Sequence, residues 1–94
     1  MNEIEEKIRS NIRSGINSDI QHERMSQIKR FGYQNYKPEV YFTILSEEVG
    51  EVAKEIIEMT FQAKEHHEYR KELVQVAAVT LAMIEELDVK TGAY

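Results

Sequence analysis

The sequence predicts an all-α antiparallel helical bundle that assembles as a homo-oligomer. Three observations point there. Apolar residues recur at helical spacing, with no run of strand-like alternation. One proline and four glycines in 94 residues leave too few breakers for a turn-rich sandwich or barrel. Leu73 to Ile84 is apolar on every side apart from Gln75 and Thr80, and a helix of that kind has to be covered all round. Three helices of so short a chain cannot cover it alone, so a second subunit is expected.

The elements follow in chain order within a single domain, residues 1–94, whose core helices span 19–90. The first segment, Asn2 to about Ser14, places Ile4, Ile8 and Ile12 at steps of four among charges, and residues 1–18 read as an N-terminal helical extension. Gly15-Ile16-Asn17-Ser18 reads as a break, with Ser18 or Asp19 capping a second helix that runs to Phe31. Gly32 stands where a left-handed cap is expected, and Lys29 and Arg30 suit the last turn. Pro38 suits the first turn of a third helix, about Glu39 to Phe61, whose stripe of Phe42, Leu45, Val49, Val52, Ala53 and Ile56 is expected to be core. Residues 62–68, with His66-His67, form a connector. A fourth helix covers about Tyr69 to Val89 and stops near Gly92. On it, Ala78 and Val79 are expected in the subunit contact.

Charge and composition narrow the functional classes. Twelve basic residues against seventeen acidic give a net charge of −5, which disfavours a broad nucleic-acid-binding face. The longest apolar stretch is short of the roughly 20 residues a bilayer span needs, and no apolar leader follows the first residue. No membrane partner and a cytoplasmic location are therefore expected. With no cysteine there is no disulfide to support a thin core.

The chemistry concentrates in carboxylates. Glu48, Glu51 and Glu55 fall within about a 60° sector of the third helix, while Glu47 points further round, on the side of Lys54. Repeated like charges at three- and four-residue spacing weaken a helix unless a cation offsets them. Oxygen-only ligands select a hard ion, Mg²⁺ or Mn²⁺. Glu72 and Gln75 open the fourth helix and are expected to face outward from a Leu73, Ala77, Ile84 ridge. Antiparallel packing brings Glu72 opposite Glu48 and Glu51.

Glu47-Glu48-Val49-Gly50-Glu51, then Glu72-Leu73-Val74-Gln75 after twenty intervening residues, resembles the MazG-like nucleotide pyrophosphohydrolases of the all-α NTP pyrophosphatase group. Glu23-Arg24 and Phe31-Gly32-Tyr33-Gln34 are similar to small phage-type members, and the resemblance spans roughly residues 19–88. It implies an enzyme that hydrolyses a nucleoside triphosphate to the monophosphate and pyrophosphate, with Mg²⁺ (or Mn²⁺) as cofactor. It further implies a homo-oligomer, dimer or tetramer. Carried over by position, Glu48, Glu51 and Glu72 are metal ligands, Glu47 lies nearer substrate, and all four form the catalytic set. Gln75 occupies the fourth ligand position, where most of the family has Asp. An amide offers an oxygen but carries no charge and cannot act as a base. Arg24, Lys54 and Tyr36 are the substrate-binding candidates, Lys29 and Arg30 further cations, and Tyr33 a second base platform. The competing reading is a catalytically silent helical bundle, an interaction or regulatory protein that kept the fold.

Overall fold

A computed structural model of the chain describes residues 2–94. It contains three helices, α1 (Glu3–Phe31), α2 (Pro38–Gln62) and α3 (His67–Thr91), and no strand among the described residues. α3 packs against both α1 and α2, and among the described residues those two do not pack on each other. Lys90 at the end of α3 donates to the Tyr36 carbonyl just before α2 at 3.4 Å, and Lys64 after α2 reaches back to Glu55. α2 and α3 are therefore antiparallel. Asp19–Arg70 and Arg24–Glu85 pairs run in the same sense along α1 and α3, which gives an up-down-up bundle.

The expected break at Gly15 does not occur: α1 is one helix from Glu3 to Phe31. A glycine costs a helix interior about 1 kcal/mol relative to alanine, too little to end it when no proline follows. Asn2 supplies the N-cap instead, accepting from the Glu5 amide at 2.8 Å, and Arg9–Glu5 and Arg13–Glu6 pairs brace the first turns. The helix stops where expected, at Gly32, whose φ of +72° leaves the helical region while its amide still bonds Ile28 at 2.7 Å. Pro38 occupies the first turn of α2 as expected.

The core lies elsewhere on α2 than its apolar stripe predicts. Tyr41 is buried and Ile44, Leu45 and Val52 are half-buried, but Phe42, Val49, Ala53 and Ile56 are exposed. The seam with α3 follows Tyr41, Leu45, Glu48, Val52 and Glu55, one residue off the most apolar edge. Glu48 finds a partner across that seam in the Gln75 amide, and the apolar edge faces outward. α3 shows the same shift. Its Leu73 and Ile84 are exposed, while Glu72 and Gln75 turn inward, the reverse of the expected arrangement. Ala78 and Val79 are buried inside the single chain, so a charge placed there would test the fold and not a subunit contact. Met25 on α1 is exposed.

α2 ends at Ala63, a non-glycine residue with φ 53° and ψ 34°. An L-residue in that region is disfavoured by roughly 1–2 kcal/mol. Glycine would remove that strain and cost roughly 0.5–1 kcal/mol through the greater freedom of the unfolded chain. Ala63→Gly is therefore expected to raise the melting temperature by a few degrees. A lower melting temperature by circular dichroism would show that the turn is not left-handed at this position.

Candidate functional site

The helix pair α2–α3 brings Glu48, Gln75 and Glu72 together. Glu72 and Gln75 are three residues apart, so both face α2 across the seam. Ionised carboxylates only accept hydrogen bonds, which orients the Gln75 amide with its nitrogen toward them. In that orientation it donates to Glu48 Oε2 and to Glu72 Oε2, each at 3.0 Å. Burial, then the carboxylates of Glu72, Glu51, Glu23 and Glu47, pushes the Glu48 carboxyl above its ordinary pKa. Burial and then Glu51 push Glu72 up as well; Lys71 opposes this, and Glu55 and Glu68 add to it. The cluster thus holds more negative charge than its surroundings offset.

The acidic face of α2 divides in two. Lys64 donates to Glu55 at 2.6 and 3.2 Å and to Glu58 at 2.8 Å, so the C-terminal carboxylates are neutralised. Bonds to both carboxylates push the Lys64 amine up, and the Lys64 bond pulls Glu58 down. Glu55 shares the helical sector of Glu48 and Glu51, yet its partner is a lysine from the connector. Glu48, Glu51 and Glu72 make no ion pair among the described residues. Glu47 and Glu51 are exposed.

A cleft of about 440 Å³ opens from this cluster between α1, the 32–37 loop, α2 and α3. Glu48 and Gln75 line it on the α2–α3 side, and Arg24 and Arg30 line it from α1. Arg24 is buried, and its guanidinium donates to both Glu85 oxygens at 3.3 and 3.4 Å, long for an arginine–carboxylate fork. Arg30 is exposed, 3.5 Å from Glu23, and lies 5.2 Å over the Phe31 ring. Tyr36 and Tyr41 form an aromatic wall, edge to face at 5.3 Å and 72°. The Tyr41 hydroxyl donates to the Gln34 carbonyl at 2.6 Å, and Gln34 in turn donates to Phe31, which fixes the loop that carries Tyr36.

Of the residues that the sequence singles out, Glu48, Gln75, Arg24, Arg30 and Tyr36 line this cleft; Glu72 is tied to it through the Gln75 amide, and Glu47 and Glu51 are not among the lining residues. Lys54 does not line the cleft; it is exposed on α2 on the side of Glu58. Tyr33 is exposed outside the cleft, and His66 and His67 sit at the exposed start of α3. Tyr41, which with Tyr33, Tyr36 and Phe42 the sequence offers for base stacking, lines the cleft. Glu85 is an addition: it lies in an acidic pair near the end of α3 and carries no motif signal. Among the described residues no group of three or more acidic or histidine side chains is arranged to enclose a metal ion. Comparison with protein-family models, curated proteins and solved structures gives no match.

The raised Glu48 carboxyl has a direct consequence. A group whose folded pKa exceeds its unfolded value stabilises the fold when protonated and withdraws that stability as pH rises through the folded pKa. In metal-free buffer, Glu48→Gln is expected to raise the melting temperature near neutral pH, and the gain should shrink as pH falls through the raised folded pKa and vanish below the ordinary glutamate range. A variant that melts lower than wild type at neutral pH would show that Glu48 is better satisfied than its neighbours imply.

Proposed function

We propose that the chain is a divalent-metal-dependent nucleotide pyrophosphohydrolase that cleaves a nucleoside triphosphate to its monophosphate and pyrophosphate. One observation carries this reading: a single cleft is lined by Glu48 and Gln75 on one wall and by Arg24 and Arg30 on the other, and is closed by tyrosines. The donor set fits a hard cation, since Glu48, Glu51, Glu72 and Gln75 offer only oxygen when the Gln75 amide is turned over, and the excess negative charge awaits an offset. Magnesium held by those residues would neutralise phosphate charge and lower the pKa of a bound water.

The chain's own residues divide the remaining work. Arg24 and Arg30 reach the cleft from α1 and suit the phosphate oxygens that a net acidic protein otherwise repels. Arg24 comes with a long Glu85 contact that it can exchange for a stronger anion. Tyr36, braced by Tyr41, presents a ring on which a base can stack. Glu51, exposed and free of an ion pair among the described residues, would orient a water. The homo-oligomer belongs to the same proposal. Phe42, Val49 and Ile56 on α2 and Ile84 and Leu87 on α3 form outward apolar edges suited to a second copy.

Pyrophosphate release measured across the nucleoside triphosphates should appear with Mg²⁺ or Mn²⁺ and vanish with a chelator. Glu51→Gln is expected to lower kcat about 10²-fold or more while leaving helix content unchanged. Tyr36→Ala should act mainly on KM. Full turnover in Glu51→Gln would remove that residue from the site.

One observation favours a second reading, a silent helical bundle with an interaction role. The Gln75 amide satisfies Glu48 and Glu72 without any cation. Gln75→Asp separates the two. It removes the shared donor, so the metal-free protein should melt lower in both cases. With a metal site, a fourth carboxylate tightens Mn²⁺ binding in calorimetric titration, because hard-cation affinity follows ligand charge. Unchanged or weaker Mn²⁺ binding, with no pyrophosphate released by wild type from any triphosphate, would favour the silent bundle.

A further inference from the structure

Among the described residues of α1 only Arg24 is buried. It lines the cleft together with Gln27 and Phe31, three and seven residues further along the same face of the helix. Its partner reaches it from another side. Glu85 continues the face of α3 that carries Ala78 and Ala82, two small buried side chains that let α1 come close. Ala82 lines the cleft, but Glu85, one turn further on, does not.

The bonded atoms show which part of Arg24 is engaged. A guanidinium carries five N–H donors in a planar fork geometry. Nε and one terminal nitrogen make a side fork, and the two terminal nitrogens make an end fork. Glu85 takes the side fork, with Nε donating to Oε2 at 3.4 Å and Nη2 to Oε1 at 3.3 Å. Nη1 makes no hydrogen bond among the described residues, yet no buried side-chain nitrogen or oxygen there lacks a partner. Nη1 is therefore open, and the cleft is the space that Arg24 borders. The end fork matches two oxygens of a phosphoryl group.

Arg30, the other arginine of the cleft, is held differently. It is exposed, its Nε donates to the Ser26 carbonyl of its own helix at 3.4 Å, and a terminal nitrogen lies 3.5 Å from Glu23. It adds charge, whereas Arg24 adds charge in a fixed direction. The Glu85 bonds are long enough to be given up, but an anion on the end fork does not need the oxygens of Glu85 to leave. Holding the side fork costs the free donors nothing and stops the guanidinium from turning.

We propose that Glu85 is a positioning residue: it keeps the side fork of Arg24, so that the end fork receives a phosphoryl group of the substrate while the Arg24–Glu85 pair stays intact. The inference rests on the phosphate-binding part of the pyrophosphohydrolase reading and adds a residue to it.

NMR of the full chain, titrated with inorganic triphosphate in Mg²⁺ buffer, reads Arg24 directly and needs no variant. The Nε–H resonance should hold its Glu85-bonded position while the Nη resonances split, because a bound anion stops rotation about the terminal C–N bonds. An Nε–H that moves to the position of a free arginine shows Glu85 displaced. No change in any Arg24 resonance shows the end fork unused. Either result overturns the proposal. Glu85→Asp keeps the charge and shortens the reach, so calorimetric affinity for inorganic triphosphate should fall about tenfold or more, since small misplacements of a positioning group are costly. Equal or tighter affinity in the folded variant would make Glu85 a structural partner or a competitor, and would equally overturn it. Pyrophosphate release from nucleoside triphosphates, measured alongside, separates the two readings. Wild type that binds triphosphate as expected but releases no pyrophosphate loses the pyrophosphohydrolase and keeps the positioning role. Release that Glu85→Asp leaves unaltered loses the positioning role alone.

Discussion

The Gln75 amide, shared between Glu48 of α2 and Glu72 of α3, is the contact on which the rest of the site depends. It lets two buried-side carboxylates of one sign face each other across a helix seam, an arrangement that repulsion would otherwise open. The seam is thereby held on a partly polar edge of α2. That choice turns Phe42, Val49 and Ile56 outward and draws Tyr41 in, and Tyr41 in turn positions the loop carrying Tyr36. The placement of the aromatic wall and of the outward apolar edges thus both follow from where the carboxylates sit.

The same bundle treats its acidic groups unequally. Lys64 closes off Glu55 and Glu58, and Glu85 engages Arg24. Glu48, Glu51 and Glu72 make no ion pair among the described residues, and neither do Glu3, Glu39, Glu47, Glu68, Glu86 and Asp88; Glu48 and Glu72 differ in crowding one helix seam and sharing a single amide. Burial is thin. Tyr41, Ala78, Val79 and Ala82 are the buried apolar side chains among the described residues, and the radius of gyration is 15.8 Å where a compact chain of this length gives about 12 Å. Among the described residues no helix is long and apolar enough to cross a membrane.

Much of this was legible from residue order because it rests on local rules. Pro38 and Gly32 mark real boundaries, helical spacing gives the class, and the three-residue step from Glu72 to Gln75 does set both on one face. Other features depend on quantities that a local pattern does not contain. The Gly15 segment carries every break signal, but one glycine's cost is smaller than the gain from neighbouring turns and ion pairs. Phe42 fits the apolar stripe, yet the rotation of α2 is decided by its partner's side chains. Ala78 and Val79 look like interface residues in an all-apolar run, and small side chains there let α3 serve as the middle helix instead. The Lys64 pairs depend on the turn at Ala63 that folds the lysine back on α2, and the Arg24–Glu85 pair joins residues 61 apart in sequence, so neither shows in a local pattern.

A divalent cation at the proposed site would take the place between carboxylates that the Gln75 amide holds. The side-chain NH₂ resonances of Gln75, followed by NMR during Mg²⁺ titration of the full chain, report on that position directly. Cation binding there is expected to give a saturable shift as the amide turns its oxygen inward, absent in Glu48→Gln. Resonances that stay in place through millimolar Mg²⁺, with the hydrogen-bonded pattern intact, would contradict it.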